Sequence, residues 1–398
     1  MMKGYLRNDG RKGVRNVVIV AYLVECARHV ADAVARSVGD DDVHVIGFPG
    51  CYRNDYSHRV MEALATHPNV GAVLLLSLGC EGFRKSALME TIAASGRPVE
   101  LLTIQETGGT AGTIAAGRAW VENQLRALNA QPKVDLAWRD LIIGTICGGS
   151  DGTSGLTGNP AVGRAFDLMG DEGAACIFEE TGELIGCEHH MSARAATPAL
   201  GQEIIASVAK AADYYQTMGH SSFAPGNADG GLSTIEEKSM GAYAKSGAAQ
   251  IVGLLKPGDL PPTGGLYLLD VVPDGEPRYG FPNISDTAEI VELMACGAQI
   301  IIFTTGRGSV VGSAIAPVIK VCANPDTYQR MVGDMDVNAG RILRGDAGLD
   351  EVGHEIRDLV EAVACGEATK SEALGHREFY LGYKSFEPIG PSCLPGAA

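Results

Sequence analysis

Four cysteines stand just after short apolar runs, in Val24-Glu25-Cys26, Pro49-Gly50-Cys51, Leu78-Gly79-Cys80 and Ile146-Cys147-Gly148-Gly149. Residues so placed sit at the carboxyl ends of strands, where loops and helix N-termini of open parallel sheets converge on ligands. The helix dipole favours thiolate there, so Cys26, Cys51, Cys80 and Cys147 are candidate ligands for a metal ion or an iron–sulfur cluster. Each taken singly reads equally as a small apolar core residue. Their spacing fits no compact CxxC zinc site. The loop from Cys147 to Pro160 is the most informative stretch, with five glycines set among Ser150, Asp151 and Thr153. Amides exposed at Gly148 and Gly149, together with a helix start, make a cradle for carboxylate or phosphate. The loop has neither the GK[ST] ending of a nucleotide P-loop nor the GxGxxG of a dinucleotide fold.

Three further stretches carry polar chemistry. Glu179-Glu180-Thr181-Gly182-Glu183 and Glu188-His189-His190 follow a predicted strand. Carboxylates beside imidazoles are ordinary ligands and bases for divalent metals, which makes Glu188 a candidate ligand and His189 a candidate base. Residues 219–238 run from a glycine loop into a helix, with Asn227 a candidate substrate contact and Glu237 and Lys238 candidate acid–base groups. Ser233 with Glu236 three residues later fits a capping box, a structural use of Glu236. Finally, Phe303-Thr304-Thr305-Gly306-Arg307-Gly308-Ser309 follows a buried run. The Thr305 hydroxyl and the bidentate Arg307 guanidinium suit a substrate carboxylate.

The elements that must position these loops alternate. Predicted strands at 16–23, 43–48, 72–78 and 99–104 are separated by helical patterns at 27–38, 55–66, 84–94 and 111–128, which predicts a parallel sheet with right-handed crossovers. A polar break at 129–134 divides the chain into an α/β domain over 1–133, expected to dimerise, and a second α/β domain over 134–398. The second restarts with strands at 141–145, 174–178, 251–255, 266–270 and 299–304 and helices at 198–218, 233–246 and 286–296. The Pro/Gly-rich tail beyond Tyr380 is expected to wrap another surface. A length of 398 residues with 45% hydrophobic residues excludes disorder and bounds the chain at two or three domains. A net charge of −16 offers nucleic acid and anionic membranes no cationic excess. No apolar stretch reaches a membrane span and residues 1–15 have no secretory core, so the cytoplasm is the expected compartment.

Taken together these loops resemble the altronate/galactarate dehydratase family of sugar-acid hydro-lyases. The likeness rests on Gly4-Tyr-Leu-Arg-Asn-Asp-Gly-Arg-Lys-Gly-Val-Arg15-Asn16, the Gly-Cys loops at Cys51 and Cys80, Ile104-Gln-Glu-Thr-Gly-Gly-Thr110 and Cys147-Gly-Gly-Ser-Asp151. Asn159-Pro160, Pro225-Gly-Asn227, Glu236-Glu-Lys238 and residues 303–309 continue it in order. The resemblance implies elimination of water from a sugar acid to a 2-keto-3-deoxy acid, dependence on iron, and a Rossmann-like C-terminal domain holding the metal. It also implies that Arg15 and Asn16 contact substrate. A close branch is the large subunit of sulfolactate sulfo-lyase, which expels sulfite. The family's N-terminal β-clip (SAF) domain has no counterpart here, so a separate small subunit is expected to supply it. Two other departures are Ile146, where the family usually has Glu, and the loop 271–286, which puts the substrate in question. A metabolite-binding scaffold subunit is the reading of another class, and a homodimer or larger oligomer is the expected assembly.

Overall fold

The computed structural model describes residues 2–219, 224–275 and 285–384. Two short strands open the chain, β1 (Met2–Leu6) and β2 (Lys12–Gly13). Then β3 (Val17–Tyr22), α1 (Glu25–Val38), β4 (Val43–Gly47), α2 (Asp55–Ala65), β5 (Val70–Ser77), α3 (Lys85–Ala94), β6 (Val99–Thr103) and α4 (Gly109–Asn129) alternate as the apolar runs predict. These four strands form one parallel sheet in the order β4-β3-β5-β6. Every residue of β5 is buried, as expected of a strand covered by helices on both faces. A third strand, β7 (Val134–Leu136), returns antiparallel to β1 and closes a small sheet β2-β1-β7.

The second half contains β8 (Ile142–Cys147), α5 (Gly158–Asp171), β9 (Ala175–Phe178), α6 (Glu188–Ala193), α7 (Pro198–Met218), α8 (Pro225–Asp229) and α9 (Ile235–Ala244). It continues through β10 (Ile251–Leu255), β11 (Gly265–Leu269), α10 (Asp286–Ala295), β12 (Ile300–Thr305), β13 (Val318–Cys322) and β14 (Val337–Asn338). The seven strands are parallel in the order β10-β11-β9-β8-β12-β13-β14. The fold class is α/β, with parallel sheets in both halves. The chain leaves β8 toward β9 on one side and later places β12 on the other. Such a change of direction opens a crevice at the carboxyl end of β8. The register sets Cys147 beside Thr304 and Thr145 beside Phe178, so the loops after β8, β9 and β12 emerge side by side.

One apolar core joins the two parallel sheets. Ile19, Val73 and Leu75 share it with Ile146, Leu269 and Ile301. Among the described residues no helix is long and apolar enough to cross a membrane. Two details differ from the sequence reading. The fully buried β13 was not anticipated, because Lys320 interrupts its apolar run and is itself 0% exposed. The cap of α9 is also one residue later than predicted: Thr234 accepts from the Glu237 amide at 3.2 Å, so Ser233 and Glu236 do not form the box.

Candidate active site

The tips of β8 and β9 bring together three donors of different softness. Cys147 ends β8 with its thiol buried. Glu180 and Glu183 lie in the turn after β9. The Cys147 Sγ donates to Glu180 Oε2 at 3.1 Å and to Glu183 Oε2 at 3.4 Å. Among the described residues this is the one group of three such ligand atoms lying within 4.8 Å of one another. Glu180 has φ 96°, the only described non-glycine residue in the left-handed region. Holding a buried glutamate there costs on the order of 1–3 kcal/mol, and the conformation lets its Oε1 accept from the Cys147 amide.

Two lysines close the cluster, one on α9 and one at its C-terminal cap. Lys245, fully buried, pairs with Glu180 and lies 3.4 Å from the Cys147 Sγ, while Lys238, 7% exposed, pairs with Glu183. Burial, with a smaller push from Glu183, moves the Cys147 thiol up against the pull of Lys245. Burial is the largest influence on the Lys238 ammonium and works to lower it, but the charge and hydrogen bond of Glu183 together with the nearby Cys147 and Glu289 outweigh it, and the group ends above its ordinary value. A cavity of about 210 Å³ opens over this cluster and is lined further by Glu179, Tyr215, Asn227, Asp286 and Glu289. Desolvation, then the nearby Glu183 charge, raises Asp286 from 3.8 to about 6. Its carboxylate rests on the Gly148 turn, where an added Cβ would lie 2.0 Å from Oδ2. With its amide oxygen turned inward, Asn227 accepts from Lys238 Nζ at 3.2 Å.

The other residues singled out from the sequence fall at several places. Ser150 lies 3.5 Å from the Cys147 Sγ. Asp151 accepts from the Thr153 amide at 2.8 Å and from Asn324 at 3.0 Å, and it presses on Gly306. Gly149, at φ 60°, accepts from the Arg307 amide at 2.8 Å. Thr305 Oγ1 accepts from the Gly308 amide at 3.0 Å, and the Arg307 guanidinium donates to the Gly226 carbonyl. Ser150, Asp151, Lys238 and Glu237 line an adjoining cavity of about 330 Å³. Glu237 is exposed, its carboxylate accepting from the Ser233 amide at 2.8 Å. His189 is exposed on α6, and Glu188 accepts from the Gly186 amide at 2.7 Å rather than joining the three donors.

Cys26, Cys51 and Cys80 are exposed at the edge of the first parallel sheet, apart from the buried Cys147. Among the described residues no three of these four sulfurs lie within 4.8 Å of one another. Arg15 and Asn16 are engaged away from the cavity. Arg15 holds Glu372 at 2.7 Å, and Asn16 donates to the Leu128 carbonyl at 3.1 Å. Part of the divergent loop, residues 276–284, lies outside the described residues. Glu180 and Glu183 were legible as an acidic run after a strand. Lys245, Asp286 and Glu289 were not, since helical spacing explains each of them as an ordinary surface position.

Two family profiles divide this architecture between them. The profile of the D-galactarate/altronate dehydratase C-terminal region matches residues 138–386, more than half the chain. That of the second domain of D-galactarate dehydratase/altronate hydrolase matches residues 4–129. The chain belongs to the galactarate/altronate dehydratase family. It is 33% identical to the (2R)-sulfolactate sulfo-lyase subunit beta of Chromohalobacter salexigens, covering 95% of this chain and 96% of that one. It is 30% identical to the altronate dehydratase of Bacillus subtilis, over 95% of this chain and 77% of the relative. The galactarate dehydratase (L-threo-forming) of Escherichia coli is also 30% identical, over 92% and 73%. Membership of this dehydratase family makes the chain a lyase.

Proposed function

We propose that the chain is an iron-dependent dehydratase that eliminates water from a sugar acid or related 2-hydroxy acid to give a 2-keto-3-deoxy acid. The observation that carries this reading is the convergence of Cys147, Glu180 and Glu183 beside Lys238 and Asp286 in one enclosed cavity. One thiolate with two carboxylates suits a divalent ion of intermediate softness such as Fe²⁺, and the residues fit a single ion better than a cluster. Bound there, the ion supplies Lewis acidity toward the carboxylate and hydroxyl of the substrate, which lowers the cost of removing its α-proton.

The side chains divide the proton work. The Asp286 carboxylate, ionised above about pH 6, accepts the α-proton as the C–H bond breaks. The Lys238 ammonium, kept charged by Glu183, gives its proton to the departing β-hydroxide, so water leaves. Both groups are pushed toward their protonated forms, yet above about pH 6 Asp286 is ionised while Lys238 stays charged, which leaves a base and an acid in one cavity. The enol then tautomerises to the 2-keto acid. Glu237 and His189, the other candidate bases, are exposed. The Gly149 amide, with Ser150, Asn227 and Arg307, is assigned to substrate carboxylate and hydroxyl groups, the Gly148 amide being held by the Thr304 carbonyl at 3.0 Å.

A second reading, sulfite release from sulfolactate, is favoured by the end-to-end match with the sulfo-lyase subunit beta. That relative's designation as a subunit also supports a separate small partner subunit for this chain. Cytoplasmic location and assembly into a homodimer or larger oligomer belong to the same proposal. The test is anaerobic assay with ferrous iron, with and without the small subunit, following 2-keto acid and sulfite. Keto acid without sulfite from a sugar acid supports the dehydratase, sulfite from sulfolactate supports the second reading, and neither product would sink both.

A further inference from the structure

The inner wall of the cavity holds a carboxyl group that the proposed chemistry leaves unused. Glu179 is 0% exposed, and neither of its carboxyl oxygens finds a hydrogen-bond partner among the described residues. Stranding a buried polar group in this way costs roughly 1–3 kcal/mol, so the group is kept for something that arrives. Glu179 lines the cavity together with Glu183, Asp286 and Glu289. Behind it Glu292 is already engaged, by Lys384 at 2.6 Å and by the Tyr56 hydroxyl.

Three properties of this wall select what it can receive. Glu179, Asp286 and Glu289 do not gather into a group of donors within 4.8 Å, so they bracket a space rather than grip an ion. The cation lining the cavity among the described residues is Lys238, and Glu183 already holds it. A hydroxyl both donates and accepts, so it satisfies a carboxyl group in either protonation state, whereas a sulfonate or second carboxylate has no proton to offer. A second anion would also meet the carboxylates of Glu183 and Asp286, which line the same poorly solvated space, where like charges cost most.

We propose that Glu179, with Glu289, forms a specificity subsite that receives the uncharged, hydroxylated end of the substrate and turns away acids charged at both ends. This rests on the lyase reading above and deepens it. The relatives carry names with both kinds of substrate, altronate with one charged end and galactarate and sulfolactate with two, so similarity alone does not choose.

The test compares altronate, galactarate and sulfolactate on the full chain loaded anaerobically with ferrous iron, with its partner subunit if turnover needs one. The wild type should favour altronate in kcat/KM by at least about tenfold. Glu179→Gln and Glu289→Gln should shrink that ratio by about tenfold or more, mainly through a higher KM for altronate, since an amide keeps the volume but fixes a donor where the carboxyl could accept. Glu289→Gln guards against disturbance of Glu180, which neighbours Glu179. The subsite is overturned if the doubly charged acids are processed as well as altronate, or if both variants lower all three values in proportion. Calorimetric binding of the same acids separates the two layers. Altronate-selective binding that Glu289→Gln abolishes, without turnover of any acid, would overturn the lyase reading and leave the subsite standing. Absence of selective binding overturns the subsite whatever the turnover.

Discussion

At the scale of single residues, the site is a set of buried charges that cancel only pairwise. Cys147, Glu180 and Glu183 face Lys245 and Lys238, so removing one donor strips a ligand and also strands a buried ammonium. Glu183→Gln should therefore lower iron retention by at least about tenfold and destabilise the fold by roughly 3 kcal/mol, read as metal content after dialysis and as a urea midpoint. Asp286 makes a prediction with a sign. Below about pH 6 it is protonated and cannot accept a proton, so kcat/KM should rise with pH through about 6, and Asp286→Asn should abolish turnover. Its folded pKa lies above the ordinary 3.8, so its contribution to stability is complete below that value and is lost as pH rises to about 6. At pH 8 the neutral Asn variant should accordingly be more stable than the wild type by roughly 2 kcal/mol, a gain in stability bought with activity. A variant less stable at pH 8, or a rate flat across pH 5–7, would refute the role.

At the scale of elements, the geometry is set by strand tips and by two glycine contacts. Gly148 must lack a side chain because Asp286 Oδ2 and Phe303 Cζ would sit 2.0 and 2.5 Å from its Cβ. Gly148→Ala should push the N-terminus of α10 away from β8, with activity falling at least about a hundredfold for a change far smaller than one residue. Circular dichroism should show the fold retained. Gly155 meets the Gly241 Cα in the same manner, so α9 and its lysines depend on a bare backbone contact with the loop after β8. Much of this was legible in the sequence. The alternation that gives β3 to α4 is written in apolar periodicity, and the strand end at Cys147 is announced by its glycines. Position in the second sheet was harder to read. Lys320 hides β13, and the partners of Cys147 come from residues up to 98 positions away whose meeting is decided by strand order. The four cysteines show the limit of reading strand ends alone, because two different sheets supply them.

At the scale of the whole molecule, the two parallel sheets are joined by buried polar side chains as well as by the shared core. Asn69 is fully buried between the halves, accepting from the Val14 amide at 2.9 Å and donating to the Gln299 and Ile315 carbonyls at 3.0 and 3.2 Å. Arg15 works nearby, holding Glu372 at 2.7 Å and the Val363 carbonyl at 2.9 Å. The family likeness implied that Arg15 meets substrate, and its present partners imply a clamp, so the two roles differ in what they predict. If Arg15 is a clamp, Arg15→Ala takes its donors from one carboxylate and three carbonyls and lowers stability by roughly 1–3 kcal/mol, while KM at a temperature well below unfolding is unchanged. If a substrate carboxylate reaches Arg15, the same variant raises KM by about tenfold or more at that temperature. The distances favour the clamp, because Nε, Nη1 and Nη2 of this guanidinium each donate within the protein. Paired measurement of the urea midpoint and KM for Arg15→Ala decides it, and a raised KM with an unshifted midpoint would return Arg15 to the substrate site.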